Sequence, residues 1–197
     1  MITITNLQHI ILKIPKLEIQ PGITAICGDN GSGKSTLSRV ISGIDIPQSG
    51  SVIIDNNTPR NSNIGYVLDN PDRSILFSKV IDEISAPLMF LHTDINTIQS
   101  KINEISDYIG IKHLLDRDNN SLSSGEKTVI EITTAIITDP TVLILDEPDA
   151  NIDPEILNKL FQKIKDLKCK YIIWITHNQE LIQKMDHKVI LKQGQVI

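Results

Sequence analysis

The apolar positions of this chain fall into short β-branched runs towards its two ends and into a three-to-four-residue rhythm in its middle. Ile2 to Ile4 and Ile10 to Ile14 predict two short strands, and Leu17 to Ile19 adds a third apolar run before the turn at Pro21-Gly22. Ile23 to Cys27 is a continuous run, as expected of a strand buried on both faces. A helix beginning near Lys34 continues from Thr36 to Ile41 and ends at Gly43, and Pro47 to Gly50 turns the chain into a strand at Ser51 to Asp55. Beyond the polar loop Asn56 to Asn63, another strand is expected at Ile64 to Leu68.

Asn70-Pro71-Asp72 breaks that pattern. From Ile75 to about Ile111 the apolar residues take helical spacing, and Ile98, Ile102, Ile105 and Ile109 mark an amphipathic helix closed by Gly110. Strand runs return at Val142 to Leu145 and Tyr171 to Ile175, each after a helical segment; Lys188 to Leu191 and Val196-Ile197 predict a hairpin turning at Gln193-Gly194. The expected fold is α/β with a mostly parallel sheet, an N-terminal antiparallel β-subdomain and an inserted helical subdomain. The expected organisation is one domain over 1–197, with a core of 1–69 and 138–197 and helices over about 70–137.

Between the buried strand and the first helix stands Gly28-Asp29-Asn30-Gly31-Ser32-Gly33-Lys34-Ser35, a full match to GxxxxGK[ST] in the strand–loop–helix setting that motif requires. Polyphosphate is held by successive backbone N–H groups at a helix N-terminus, provided the residues there are small; Gly28, Gly31 and Gly33 meet that condition. Lys34 is placed to reach the β- and γ-phosphates and the Ser35 hydroxyl to ligate Mg²⁺, with Asp29, Asn30, Ser32 and Thr36 completing the phosphate-binding stretch. The α/β fold is therefore expected to be a P-loop NTPase core.

Two further stretches gain meaning from that loop. The apolar run Val142 to Leu145 ends in Asp146-Glu147, and a carboxylate at the C-terminal end of a neighbouring parallel strand points into the crevice where phosphates lie. Asp146 is the candidate metal holder, and Glu147 the candidate base or orienter of the attacking water. Leu122-Ser123-Ser124-Gly125-Glu126 precedes the helical run Lys127 to Ile137, so Ser123, Ser124 and Gly125 form a small-residue helix start that reads either as a second anion site or as an ordinary N-cap.

Composition narrows the class. With 197 residues, 40% of them hydrophobic, the chain can bury a substantial core, and a net charge of −5 argues against a broad nucleic-acid surface. Lys163, Lys165, Lys168 and Lys170 read as a solvated helix face. The start of the chain carries no basic segment before an apolar stretch, no apolar run approaches membrane-spanning length, and Cys27 and Cys169 show no metal-ligand spacing; a cytoplasmic location is expected.

In order and spacing these motifs resemble those of the ATP-binding subunits of ABC transporters, and the resemblance covers essentially the whole chain. Gly28 to Ser35 is similar to their Walker A loop, Val142 to Glu147 to Walker B, Leu122 to Glu126 to the signature LSGGQ, and Asp149 to Asp153 to the D-loop; His177 matches the switch histidine. Asn70-Pro71-Asp72, Leu76-Phe77 and Val80 to Ile84 look most like the energy-coupling factor group, importers of cobalt, nickel or vitamins. The resemblance implies ATP and Mg²⁺ as ligands, with catalytic roles for Glu147, His177 and Lys34. It implies a head-to-tail dimer, with itself or with a paralogous ATPase, in which Ser123 to Gly125 meet the other chain's nucleotide. An integral-membrane transporter subunit would dock near Asp69 to Phe77 and hold the chain on the inner face of the membrane. Asp69 stands where the family has its Q-loop glutamine and becomes a further candidate near the metal; Ser124 and Glu126 depart from the signature. An aromatic partner for adenine is missing upstream of the loop, where His9 is a poor substitute. The departures leave two other readings: a weakly hydrolytic switch paired with an active paralogue, and a soluble ABC ATPase outside transport.

Overall fold

The computed structural model describes residues 1–197, except for the side chain of Asn151, which lies in the D-loop-like run and outside the described residues. By contacts the chain divides into two compact units: the first holds Met1–Tyr66, Thr141–Glu147 and Cys169–Ile197, the second Val67–Pro140 and Pro148–Lys168. The sequence pattern groups 148–168 with the core, whereas by contacts Pro148–Lys168 falls in the second unit.

The first unit carries both sheets. Strands β1 (Ile2–His9) and β2 (Leu12–Ile19) form an antiparallel hairpin, and β1 also pairs with β4 (Ser49–Ile54) in the order β2-β1-β4. Alternation explains the pairing: Ile2, Ile4 and Leu7 on β1 and Leu12, Ile14, Leu17 and Ile19 on β2 are all buried. The step from Ile4 to Leu7 is three residues, and Asn6 absorbs the extra one in a left-handed conformation (φ 49°) where the β1–β4 register shifts. Pro15 lies inside β2, which is tolerated because β2 is an edge strand.

The second sheet contains β3 (Gly22–Gly28), β5 (Ile64–Val67), β6 (Val142–Asp146), β7 (Tyr171–Ile175), β8 (His187–Lys192) and β9 (Gln195–Val196), in the order β5-β6-β7-β3-β8-β9. The pairs β3/β7, β3/β8 and β6/β7 are parallel and only β8/β9 is antiparallel among those whose registers are defined here. Every residue of β6 and β7 is buried, in keeping with their unbroken apolar runs. Helix α1 (Lys34–Ser42) buries Leu37, Val40 and Ile41 in the core shared with both sheets and stops at Gly43 in a left-handed cap. A short helix, α6 (Gln179–Ile182), follows β7.

The second unit is helical: α2 (Val80–Phe90), α3 (Ile95–Ile109), α4 (Ser124–Ile136) and α5 (Pro154–Lys165), with short 3-10 turns between them. On α3 the expected stripe is in place, with Ile98, Ile102 and Ile109 buried and Gly110 in the left-handed cap. Glu83 of α2, itself buried, accepts hydrogen bonds from the backbone N–H groups of Leu76 and Phe77 at 2.9 and 2.8 Å and so fixes the loop before its own helix.

Candidate nucleotide site

In the first unit the loop from Gly28 to Ser35 takes its shape from positions where no side chain fits. Gly28 (φ +150°) passes so close to β8 that a Cβ there would meet the Leu191 carbonyl oxygen at 2.2 Å. Gly33 (φ +104°) begins α1 without a side-chain cap, which leaves the first N–H groups of the helix for an anion. Lys34 is 5% exposed and its Nζ donates to the Gly28 and Asp29 carbonyls at 3.0 and 3.2 Å, so the loop wraps around its own lysine. Within the loop, Ser32 N–H donates to the Asp29 carbonyl at 3.1 Å, while the buried Ser32 Oγ has no hydrogen-bond partner among the described residues. An orphaned hydroxyl beside unfilled helix N–H groups is what a bound phosphate oxygen would satisfy. Asp29, Asn30, Gly31 and Ser35 are exposed and Thr36 is half-buried.

β6 lies two strands from β3 and brings the acidic pair to the same end. Asp146, 2% exposed, accepts from Ser35 Oγ at 3.2 Å through Oδ1 and from the Tyr66 hydroxyl at 3.4 Å through Oδ2; that hydroxyl also meets Ser38 Oγ at 3.0 Å. Burial, with the neighbouring Asp146 charge adding to it, pushes the Tyr66 phenol up to about 12, so it stays protonated and can donate. A serine hydroxyl beside a buried carboxylate is a hard-oxygen donor pair, and the two residues fit Mg²⁺.

Glu147 follows β6 in a left-handed conformation (φ 50°), held by its N–H donating to the Ile175 carbonyl at 3.0 Å. That turn brings its Oε1 to 3.3 Å from Nε2 of His177, which follows β7. The first unit thus gathers Gly28 to Thr36, Asp146, Glu147 and His177. Asp69 and Ser123 to Gly125 belong to the second unit. There Ser123 is the N-cap of α4 in a full capping box: its Oγ accepts from Glu126 N–H at 3.3 Å, and Glu126 Oε2 accepts from Ser123 N–H at 2.7 Å. Arg117 adds an ion pair to Glu126 at 3.0 Å, and the hydrogen bonds from Ser123 hold the Glu126 carboxyl below its ordinary range.

Both ring nitrogens of His9 are buried and have no hydrogen-bond partner among the described residues. Its Nε2 lies 3.6 Å from Asp45, whose carboxylate is already gripped by Arg39 of α1 at 2.9 and 2.7 Å. Two residues of the site escaped the sequence reading. Tyr66 is one polar side chain in a four-residue strand, with no motif to mark it. Gly194, expected only as a turn, donates its N–H to the Ser32 carbonyl at 2.9 Å and accepts from Lys13 N–H at 2.8 Å, tying the loop to the β1–β2 hairpin.

Residues 12–150 match the ABC transporter family. The chain belongs to the ABC transporter family. It is 32% identical over 182 residues to the energy-coupling factor transporter ATP-binding protein EcfA of Malacoplasma penetrans, covering 87% of this chain and 63% of that protein. The molybdate/tungstate import ATP-binding protein WtpC of Methanocaldococcus jannaschii is 32% identical over 209 residues, covering 100% of this chain and 69% of that protein. The chain thus spans about two thirds of the length of these curated relatives. Among solved structures, cbiO1 of Clostridium perfringens, described as part of the ABC transporter complex cbiONQ, superposes with a TM-score of 0.87 at 29% identity, covering 100% of this chain and 86% of that one. The α/β architecture of an ABC cassette, with its antiparallel sheet, mostly parallel sheet and helices, is therefore the fold of this member.

Proposed function

We propose that this chain is a single ABC-type ATP-binding domain that binds and hydrolyses ATP as the energy-supplying subunit of an importer for a metal ion or vitamin. The observation that carries the reading is the convergence, within one unit, of the P-loop, the Ser35–Asp146 pair and the Glu147–His177 pair. Lys34 and the N–H groups at the start of α1 hold the phosphates. Ser35 and Asp146 would hold Mg²⁺, which, when bound, neutralises charge on the phosphate oxygens. Glu147 orients and deprotonates the attacking water, and His177 steadies that carboxylate and donates to the γ-phosphate. Most of this chemistry is positioning and charge neutralisation.

In this reading two such cassettes, identical or paralogous, close on ATP so that Ser123 to Gly125 of each face the nucleotide of the other. The exposed Leu76 and Phe77 offer the contact for an integral-membrane partner. Among the described residues no helix is long and apolar enough to cross a membrane, which fits a chain held at the cytoplasmic face by that partner. The test is phosphate release from ATP by the purified protein with Mg²⁺, together with co-purification from its native membrane. No ATP hydrolysis above that of the Glu147→Gln protein would refute the catalytic role, and release from the membrane fraction without a polytopic partner would refute the transport role.

A further inference from the structure

Both oxygens of the Asp146 carboxylate are engaged, each by a different hydroxyl. Oδ1 accepts from Ser35 Oγ at 3.2 Å and Oδ2 from the Tyr66 hydroxyl at 3.4 Å. The tyrosine oxygen lies 3.0 Å from Ser38 Oγ, which in turn lies 2.9 Å from the Ser35 carbonyl, so four residues of the first unit close a ring around the carboxylate. Two hydroxyl protons, those of Tyr66 and Ser38, serve three contacts of that ring. A carboxylate is a stronger acceptor than a hydroxyl, so the tyrosine proton goes to Asp146, and Ser38 donates to the tyrosine oxygen or to the Ser35 carbonyl. Ser38 and Asp146 are 0% and 2% exposed, so the arrangement is set by packing and not by solvent. The ring of Tyr66 packs against the core shared by both sheets, a task that phenylalanine would perform equally well. The hydroxyl is the part of this side chain that packing leaves unexplained.

We propose that Tyr66 is a positioning residue that sets the metal preference of the site, holding Asp146 Oδ2 so that the carboxylate offers a single oxygen and the site favours Mg²⁺ over Ca²⁺. This rests on the nucleotide-binding reading given above. The two cations ask different things of a carboxylate. Mg²⁺ is small, demands near-ideal octahedral geometry at about 2.0–2.1 Å and is satisfied by one oxygen from each carboxylate. Ca²⁺ collects six to eight oxygens at about 2.3–2.6 Å and readily takes both oxygens of one carboxylate. A carboxylate whose second oxygen is committed to a buried hydroxyl can meet the first demand and denies the second. Without that hydroxyl the Asp146 side chain is free to turn and present both oxygens. Outer partners of this kind orient a ligand and tune its site without touching the metal.

The experiment is calorimetric titration of the whole chain with ATP under three conditions, saturating Mg²⁺, saturating Ca²⁺ and excess chelator, for the wild type and for Tyr66→Phe. The variant keeps the aromatic ring and its packing and removes one oxygen atom. The wild type is expected to bind ATP at least about tenfold tighter with Mg²⁺ than with Ca²⁺. In Tyr66→Phe that preference is expected to shrink by about tenfold, the lower end of what loss of an outer partner costs a metal site, while affinity in chelator stays within about threefold of wild type. The ratio between the two metals is the readout that a purely structural tyrosine leaves unmoved. A wild type without preference for Mg²⁺ overturns the proposal, as does a preference that survives in Tyr66→Phe. An equal loss of affinity in all three conditions also overturns it, because Tyr66 would then act through the shape of the phosphate loop. If the wild type binds ATP in none of the three, the nucleotide reading itself fails, an outcome distinct from the others.

Discussion

His177 Nε2 stands 3.3 Å from Glu147 Oε1, and the two residues are the first beyond β6 and the second beyond β7, strands paired in parallel register. The contact points the carboxylate of a residue whose backbone is already committed to a left-handed turn. Glu147→Gln keeps the shape and removes the proton acceptor. Its ATP affinity is expected to stay within about threefold of wild type while turnover falls at least about 100-fold. Calorimetry and phosphate release measure the two effects separately; hydrolysis at the wild-type rate would remove Glu147 from the mechanism.

Lys34 is the cation around which the phosphate loop is folded, since its Nζ bonds two carbonyls of that loop. Lys34→Ala therefore removes both a charge for the ligand and a brace for the loop. Nucleotide affinity is expected to fall by about 10- to 100-fold, the worth of a charge-assisted contact. Titration with ATP checks it, and an unchanged affinity would contradict the assignment of the loop.

Glu131, on α4 and 6% exposed, has no hydrogen-bond partner for either carboxylate oxygen among the described residues. Burial, with the negative charges of Glu83, Asp72 and Asp69 adding to it, pushes its carboxyl up to about 8; the Lys127 ammonium, one turn earlier, is paired to Asp72 at 2.6 Å. The unfolded chain releases this proton near pH 4.5 and the folded chain near 8, so the folded state binds more protons between the two. Stability therefore falls as pH rises through that window and levels off above it. Glu131→Gln is expected to match the wild type near pH 4.5 and to exceed it by about 2–4 kcal/mol at pH 8. Urea unfolding at the two pH values is the measurement, and equal differences at both would show that the carboxyl ionises freely.

Ser123 has two separable roles. As the N-cap of α4 it is worth about 1 kcal/mol, which Ser123→Ala is expected to cost in urea unfolding. As part of the proposed contact between cassettes it tolerates no bulk, so Ser123→Arg is expected to leave monomer affinity for ATP nearly intact and to abolish the ATP-dependent dimer in size-exclusion chromatography. Weaker ATP binding by the isolated monomer would count against the second role.

The buried strands were legible because apolar runs bounded by turns leave little choice: Val142–Asp146 and Tyr171–Ile175 lie within a residue of their expected positions. The same holds for α1 and its Gly43 stop. The β1–β2 hairpin was misread for a physical reason. Ile10 and Ile11 look like strand residues, yet β-propensity measures fit to a pleated, half-buried surface, and these two form the turn between Ile2–His9 and Leu12–Ile19. Pro15 hid the second half of β2, because a proline in a strand is acceptable only at an edge, and edges are set by pairing that a linear sequence does not display. At the site, the residues fixed by a motif were readable. Tyr66 and Gly194 act through distant partners, Asp146 and Ser32, and local spacing carries no trace of them.

The bond from Gly194 N–H to the Ser32 carbonyl joins two segments far apart along the chain. A ribosome makes the phosphate loop first and must then synthesise the helical unit and five more strands before that N–H exists, and the last of them, β8, whose Leu191 carbonyl packs against Gly28, arrives only just ahead of it. Contacts of such long sequence separation close last. A nascent chain of this protein is therefore expected to emerge with its anion-binding loop unbraced, and its capacity to hold a nucleotide should switch on abruptly once Gly194 is made rather than grow with chain length.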